Sequence, residues 1–162
     1  MIGFATKEED VLVNLFACSS LDHLLFFSDK GKVYAERAFS IPEADRAGKG
    51  PLIHTILNLS ADERVTAIVP IESFEVEGYF VMATRNGRIK RVQLEEFAEV
   101  RPSGLIAMGL EESDTLNWVK YTPGEQDIMV VTESGQCSRF DETEVRVMLR
   151  PAGGVNAIRL RD

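Results

Sequence analysis

The residues of this chain best suited to chemistry are its cations, because they recur at fixed stations along the sequence. Lys32, then Arg88 with Lys90 and Arg91, then Arg139 each follow a glycine (Gly31, Gly87, Gly135) by one to four residues. A second group, Arg46 with Lys49, then Arg101, then Arg150, stands just before a second glycine (Gly50, Gly104, Gly154). Cations repeated at one station of an array make a track that a phosphate backbone could follow by shape and charge, without reading bases. Glycines in such loops let the backbone approach phosphates closely and offer N–H donors. No aromatic residues interleave with the basics as a single-strand stacking platform wants, so bent double-stranded DNA is the better fit. On a strand, Arg88 and Lys90 share one face and Arg91 points to the other, so these three cannot all touch phosphate.

Other chemistries find little support. His23 and His54 fall at unrelated positions of the repeat, and no Cys/His/Asp spacing suggests a metal site. Gly48-Lys49-Gly50 is too short for a phosphate loop, and no Gly-x-Ser-x-Gly elbow is present. The acidic pairs Glu8-Glu9 and Glu111-Glu112 read as solvated turns. An enzyme active site in this chain is not expected.

The elements that must position the cations are hairpins. Phe80-Val-Met-Ala-Thr-Arg-Asn-Gly-Arg-Ile-Lys-Arg91 is an apolar run, a turn at Asn86-Gly87 and a returning basic strand. Asn-Gly between two such runs predicts a tight turn in which both residues take positive φ. Leu24–Tyr34 and Ile128–Phe140 repeat the pattern, with turn glycines 56 and 48 residues from Gly87. Ser28, Thr84 and Thr132 stand three residues before these glycines. The second glycines follow 17 to 19 residues later. A period near 50 with several short strands is the mark of a propeller-like array whose units must stack to bury their faces.

The fold expected is all-β, a β-pinwheel of about three four-stranded blades, with repeats at roughly 7–60, 61–112 and 113–162. Val11–Ala17 opens the first repeat, and Asp62–Pro70 and Asp114–Tyr121 open the next two. A strand is expected after Pro51 through Ile56 and Leu57, and Leu105 to Leu110 follow the second basic loop; Leu94–Phe97 is either a strand end or one helical turn. A fourth acidic-then-apolar strand would be due where the chain stops at Asp162, so the chain reads as a piece of a longer array.

Bulk properties limit the rest. With 44% hydrophobic and 27% charged residues, the 162-residue chain is an ordinary globular protein. No apolar run approaches a membrane span and no signal peptide is visible. Cys18 and Cys137 sit in strand-like apolar contexts and read as buried free thiols, pointing to a reducing cytoplasm. The net charge of −8 weighs against non-specific nucleic-acid binding. It favours a rival class, a protein-interaction propeller whose acidic loops take a partner. The segregation of Lys/Arg to turns and glycine loops, and of Asp/Glu to connections, weighs the other way.

The phrases Phe26–Tyr34, Ile41–Gly50, Asp62–Pro70, Val81–Arg91 and Gly153–Leu160 resemble blades two to four of the C-terminal domain of the DNA gyrase A polypeptide. The resemblance covers nearly the whole chain. It implies a β-pinwheel with a basic rim that wraps DNA, in a type IIA topoisomerase that introduces negative supercoils. It further implies that ATP and magnesium are used elsewhere in the enzyme, with no cofactor here. The implied partners are double-stranded DNA, the rest of the gyrase A polypeptide and the gyrase B polypeptide, in the bacterial cytoplasm at the nucleoid; no membrane or small-molecule substrate is implied. Lys32, Arg46, Lys49, Arg88, Lys90, Arg91, Arg101, Arg139 and Arg150 are the DNA-binding candidates. The family's basic box, Gln-Arg-Arg-Gly-Gly-Arg/Lys-Gly, is absent; Ala44–Gly50 resembles it loosely. The corresponding polypeptide of topoisomerase IV is the related alternative.

Overall fold

The computed structural model describes residues 11–44 and 48–160. Among the described residues ten strands run in chain order: β1 (His23–Ser28), β2 (Lys32–Arg37), β3 (Val65–Ile71), β4 (Tyr79–Thr84), β5 (Arg88–Gln93), β6 (Leu105–Ile106), β7 (Leu116–Thr122), β8 (Asp127–Val131), β9 (Cys137–Asp141) and β10 (Val155–Asn156). One short helix, α1 (Ile53–Ile56), interrupts them.

The three hairpins, β1–β2, β4–β5 and β8–β9, share one turn. The N–H of Gly31, Gly87 and Gly135 bonds to the carbonyl three residues earlier, on Ser28, Thr84 and Thr132 (3.0, 3.1 and 3.0 Å). The hydroxyl of that same residue accepts the next N–H, from Lys32, Arg88 and Gln136 (3.3, 3.2 and 3.0 Å). A hydroxyl residue three before each glycine is thus part of the turn. Only the glycines take positive φ, at 71°, 80° and 81°; Asn86 does not. The expected two-residue Asn-Gly turn is instead the longer kind, which closes on a left-handed glycine. A 3₁₀ turn follows each hairpin, at Ala38–Ser40, Leu94–Phe97 and Glu142–Glu144.

Each sheet crosses the sequence periods. The strand orders are β3-β1-β2-β6 and β10-β5-β4-β7, all antiparallel. A hairpin from one repeat therefore receives two strands from the next, one on each side. The joins are equivalent in detail: Phe27 faces Ala67 and Ala83 faces Trp118, each with an irregularity one residue later. The third hairpin, β8–β9, has no such added strands among the described residues. Its outward residues show the consequence. Met129 and Val131 are 64% and 62% exposed, whereas Leu25 and Phe27 of the first hairpin are fully buried.

The core lies between the two four-stranded sheets. Phe27, Phe80 and Phe97 meet edge to face with centroids 5.1–6.0 Å apart, among Leu25, Val33, Met82, Val92, Met108 and Leu116. Such geometry suits the ring quadrupoles. Two polar bonds cross this layer: Leu116 N–H to the Asp29 carbonyl (3.2 Å), and the Thr66 hydroxyl to the Leu116 carbonyl (2.7 Å).

Three expectations need correcting. The segment after Pro51 is not a strand but the single turn α1, whose Ile53 and Ile56 pack on Leu24, Phe26 and Tyr34. Val11–Ala17 forms no strand and is exposed. Cys18 and Cys137 are free but exposed, not buried. Cys137 lies on the hairpin that lacks covering strands.

Candidate nucleic-acid interface

The predicted cations divide into two structural classes. Those of the second hairpin, Arg88, Lys90 and Arg91, turn into the fold. Lys90 is fully buried, and its ammonium donates to the carbonyls of Leu149 (3.3 Å), Ala152 (3.0 Å) and Arg150. Burial, then the charge of Arg150, pushes its pKa down to about 8. Arg88 donates through Nε to the Gly153 carbonyl (3.0 Å) and through Nη2 to that of Gly154 (2.8 Å). Arg88 and Lys90 thus reach one loop from one face of β5, as strand periodicity requires. Arg91 turns the other way. It is buried, stacks over the Tyr79 ring at 4.5 Å and pairs with Glu142 at 3.5 Å. Arg139 repeats that diagonal on β9: it is exposed but ion-paired to Asp127, which raises its pKa further. Lys32 is half-buried at the start of β2. Lys90 and Arg91 are therefore not surface contacts, and Arg88 is largely committed to the loop it holds.

The loop cations point outward. Lys49 and Arg101 are exposed, with no ion-pair partner among the described residues. Arg150 is half-exposed and meets Glu96 at 3.4 Å. Arg46 lies outside the described residues. Two of the second glycines, Gly104 and Gly154, prove to be packing devices, whereas Gly50 (φ 65°) has nothing within 4 Å of an added Cβ. At Gly154 (φ 79°) an added Cβ would lie 2.5 Å from the Ile89 carbonyl oxygen; at Gly104 (φ 79°) it would lie 2.8 Å from the Tyr34 ring. These two loops are thereby pressed against the preceding hairpin. Successive loops also touch, because the N–H of Gly109, just past β6, bonds to the Ala152 carbonyl at 3.2 Å.

Sequence reasoning missed the buried acids. Glu142 is fully buried and accepts from the Thr122 hydroxyl (2.5 Å) and the Gln126 N–H (2.7 Å), besides pairing with Arg91. Its station, seven after the turn glycine, holds Leu94 in the second repeat, and that break in the apolar pattern was the available signal. Glu63 is buried beneath the Tyr34 hydroxyl. Asp114 holds the same place before the next first strand and accepts from the Asn86 N–H at 3.0 Å.

Among the described residues no three His, Cys, Asp or Glu are grouped to hold a metal ion. An open cleft of roughly 600 Å³ beside Trp118, Val131 and Leu160 has only Arg85 and Glu133 as titratable lining. No helix among the described residues is long and apolar enough to cross a membrane.

The hairpin repeat has a family counterpart. A family model described as the DNA gyrase C-terminal domain, beta-propeller, matches residues 22–72, 78–123 and 126–162. The chain belongs to this family. Each matched segment opens within a residue of the bond that closes a hairpin base, Ala38 N–H to Asp22, Leu94 to Gly78 and Glu142 to Gln126, each at 2.9 Å. The DNA gyrase A polypeptide of Halalkalibacterium halodurans is 42% identical over 156 residues, which is 96% of this chain and 19% of that protein. Its Escherichia coli K12 counterpart is 40% identical over 154 residues, 95% of this chain and 18% of that one. The chain thus spans about a fifth of the length of these gyrase A relatives. Among solved structures, the C-terminal domain of DNA topoisomerase IV superposes with a TM-score of 0.86 at 31% identity, covering 98% of this chain and half of that one. A DNA gyrase A C-terminal domain superposes at 0.73 and 21% identity, over 90% of this chain and 46% of that one. These likenesses agree with the all-β pinwheel architecture expected of gyrase C-terminal repeats.

Proposed function

We propose that this chain is a non-catalytic module that binds and bends duplex DNA within the gyrase A polypeptide of a type IIA topoisomerase. In that setting it would wrap DNA for negative supercoiling, in the cytoplasm at the nucleoid. ATP, magnesium and the gyrase B polypeptide would act elsewhere in the enzyme. The observation that carries this reading is the split between the cations. Arg88 and Lys90 are spent inside the fold holding a glycine loop, while Lys49 and Arg101 are exposed on the loops of successive repeats and Arg150, beside Glu96, is half-exposed on the third. Surface cations repeated on the loops of successive repeats are what a phosphate backbone requires.

The test is binding to a duplex of about 40 base pairs over a range of salt. A log K against log salt slope equivalent to several phosphates, indifferent to sequence, supports the reading. Absence of binding at low salt would sink it. The net charge of −8 favours a protein partner on the acidic connections; specific protein capture without DNA binding would establish that rival instead. The corresponding polypeptide of topoisomerase IV is the alternative parent, supported by the 0.86 TM-score.

A further inference from the structure

We propose that Lys90 is the positioning residue of the basic loop at 149–154, fixing its backbone so that the Arg150 side chain is held at the surface beside Glu96. An ammonium has three protons, and here all three find carbonyls of a single loop, those of Leu149, Arg150 and Ala152. Arg88 extends the grip to the carbonyls of Gly153 and Gly154. The remaining carbonyl, of Pro151, lies against Gly109, where a Cβ would approach it to 2.5 Å. Every carbonyl from 149 to 154 is therefore turned toward protein.

A fully buried ammonium is costly, and an apolar side chain of the same length would fill the space more cheaply. Its retention makes sense if the loop's geometry matters more than the stability lost. The first hairpin supports this. There the same station, three after the turn glycine, holds Tyr34, whose ring braces Gly104 in the loop that carries Arg101. Two unlike side chains at one station each set the following repeat's basic loop. The purpose assigned to Lys90 rests on the DNA-binding reading; the positioning itself does not.

The decisive variant is Lys90→Met, which keeps the length and removes the donors; Lys90→Gln, which keeps two donors, serves if the first does not fold. Hydrogen exchange is followed at Ala152, whose N–H bonds to Leu149, and at Gly109, whose N–H bonds to Ala152. Both amides should exchange at least about tenfold faster, while those of Phe80 and Met82 in β4 hold. Unchanged exchange in a folded variant overturns the proposal. Duplex titration then asks what the loop is for. Lys90→Met should lower the salt slope by about one, as Arg150→Ala does, and the double variant should lose no more than either. Faster exchange with an intact slope, or additive losses, would overturn the assigned purpose. If the unaltered chain binds no duplex, the DNA reading fails while the exchange comparison still decides the positioning role.

Discussion

Arg91 and Glu142 form a buried ion pair at 3.5 Å between β5 and the 3₁₀ turn after β9, so two successive repeats are tied by charge. The pair is incompletely satisfied, since Arg91 Nε has no hydrogen-bond partner. Breaking one side should be far worse than removing both. Glu142→Ala strands a buried guanidinium and should destabilise by about 3–5 kcal/mol. Arg91→Met with Glu142→Leu, which restores the apolar residue found at Leu94, should come within about 1 kcal/mol of the parent or exceed it. Urea unfolding of the three proteins checks this. Equal destabilisation by the single and double variants would show that the stranded guanidinium is not the source of the cost.

The glycines divide by what surrounds them. Gly135 has φ 81° and nothing within 4 Å of an added Cβ, so Gly135→Ala should cost only the left-handed strain, about 1–2 kcal/mol. Gly154 has a similar φ of 79° but faces the Ile89 carbonyl, a backbone atom that cannot swing away. Gly154→Ala should therefore cost clearly more and move β10 off β5. Thermal melts rank the two, and amide exchange at Ile89 and Val155 reports the displaced strand. Equal costs would mean that the close approach is readily relieved.

Much of this was legible in the sequence. The hairpins, their glycines and the repeated hydroxyl were visible because turn geometry is local and allows few residue types. What stayed hidden was non-local. Lys90 and Arg91 are charged and follow a turn, so they read as surface residues; only the three carbonyls supplied from 59 or more residues away make burial of Lys90 tolerable. The same holds for Glu142. Likewise, the exchange of strands between repeats leaves no mark on periodicity, since β3 and β7 look alike whichever hairpin receives them. The run after Pro51 misled because Ile53 and Ile56 suit either a strand or one helical turn.

Tyr34 and Glu63 give the stability curve two shoulders. Burial, then the hydrogen bond and charge of Glu63, push the Tyr34 pKa up to about 12. Its contribution is complete below the ordinary value near 10 and is lost as pH rises from there toward 12. Linkage makes the loss on the order of 2–3 kcal/mol. Burial alone would raise the Glu63 pKa, but hydrogen bonds from Ser28, the Ser60 N–H and Tyr34 outweigh it and hold the carboxyl below its usual range. That contribution is present above the ordinary carboxylate value and fades as pH falls through the depressed one. Tyr34→Phe should erase the alkaline shoulder at a cost of about 1–2 kcal/mol near neutrality. Denaturant midpoints between pH 3 and 12 decide it, and an alkaline shoulder that survives in Tyr34→Phe would refute the assignment.

Arg88 and Arg101 should respond oppositely to substitution. Arg88 is bound to two loop carbonyls and approaches Glu111 at 3.9 Å, so Arg88→Glu should loosen the fold, lowering the melting temperature along with any DNA affinity. Arg101 is exposed, and its side chain makes no hydrogen bond or ion pair among the described residues, so Arg101→Ala should leave the melt within about 0.5 kcal/mol of the parent. Its effect belongs to phosphate binding: the salt slope should fall by about one, with affinity dropping alike for unrelated duplex sequences. Lys49→Ala should behave as Arg101→Ala does, because both precede a second glycine on an exposed loop. A loss confined to certain sequences would mean that bases are being read, and an unchanged slope would remove these loops from the DNA path.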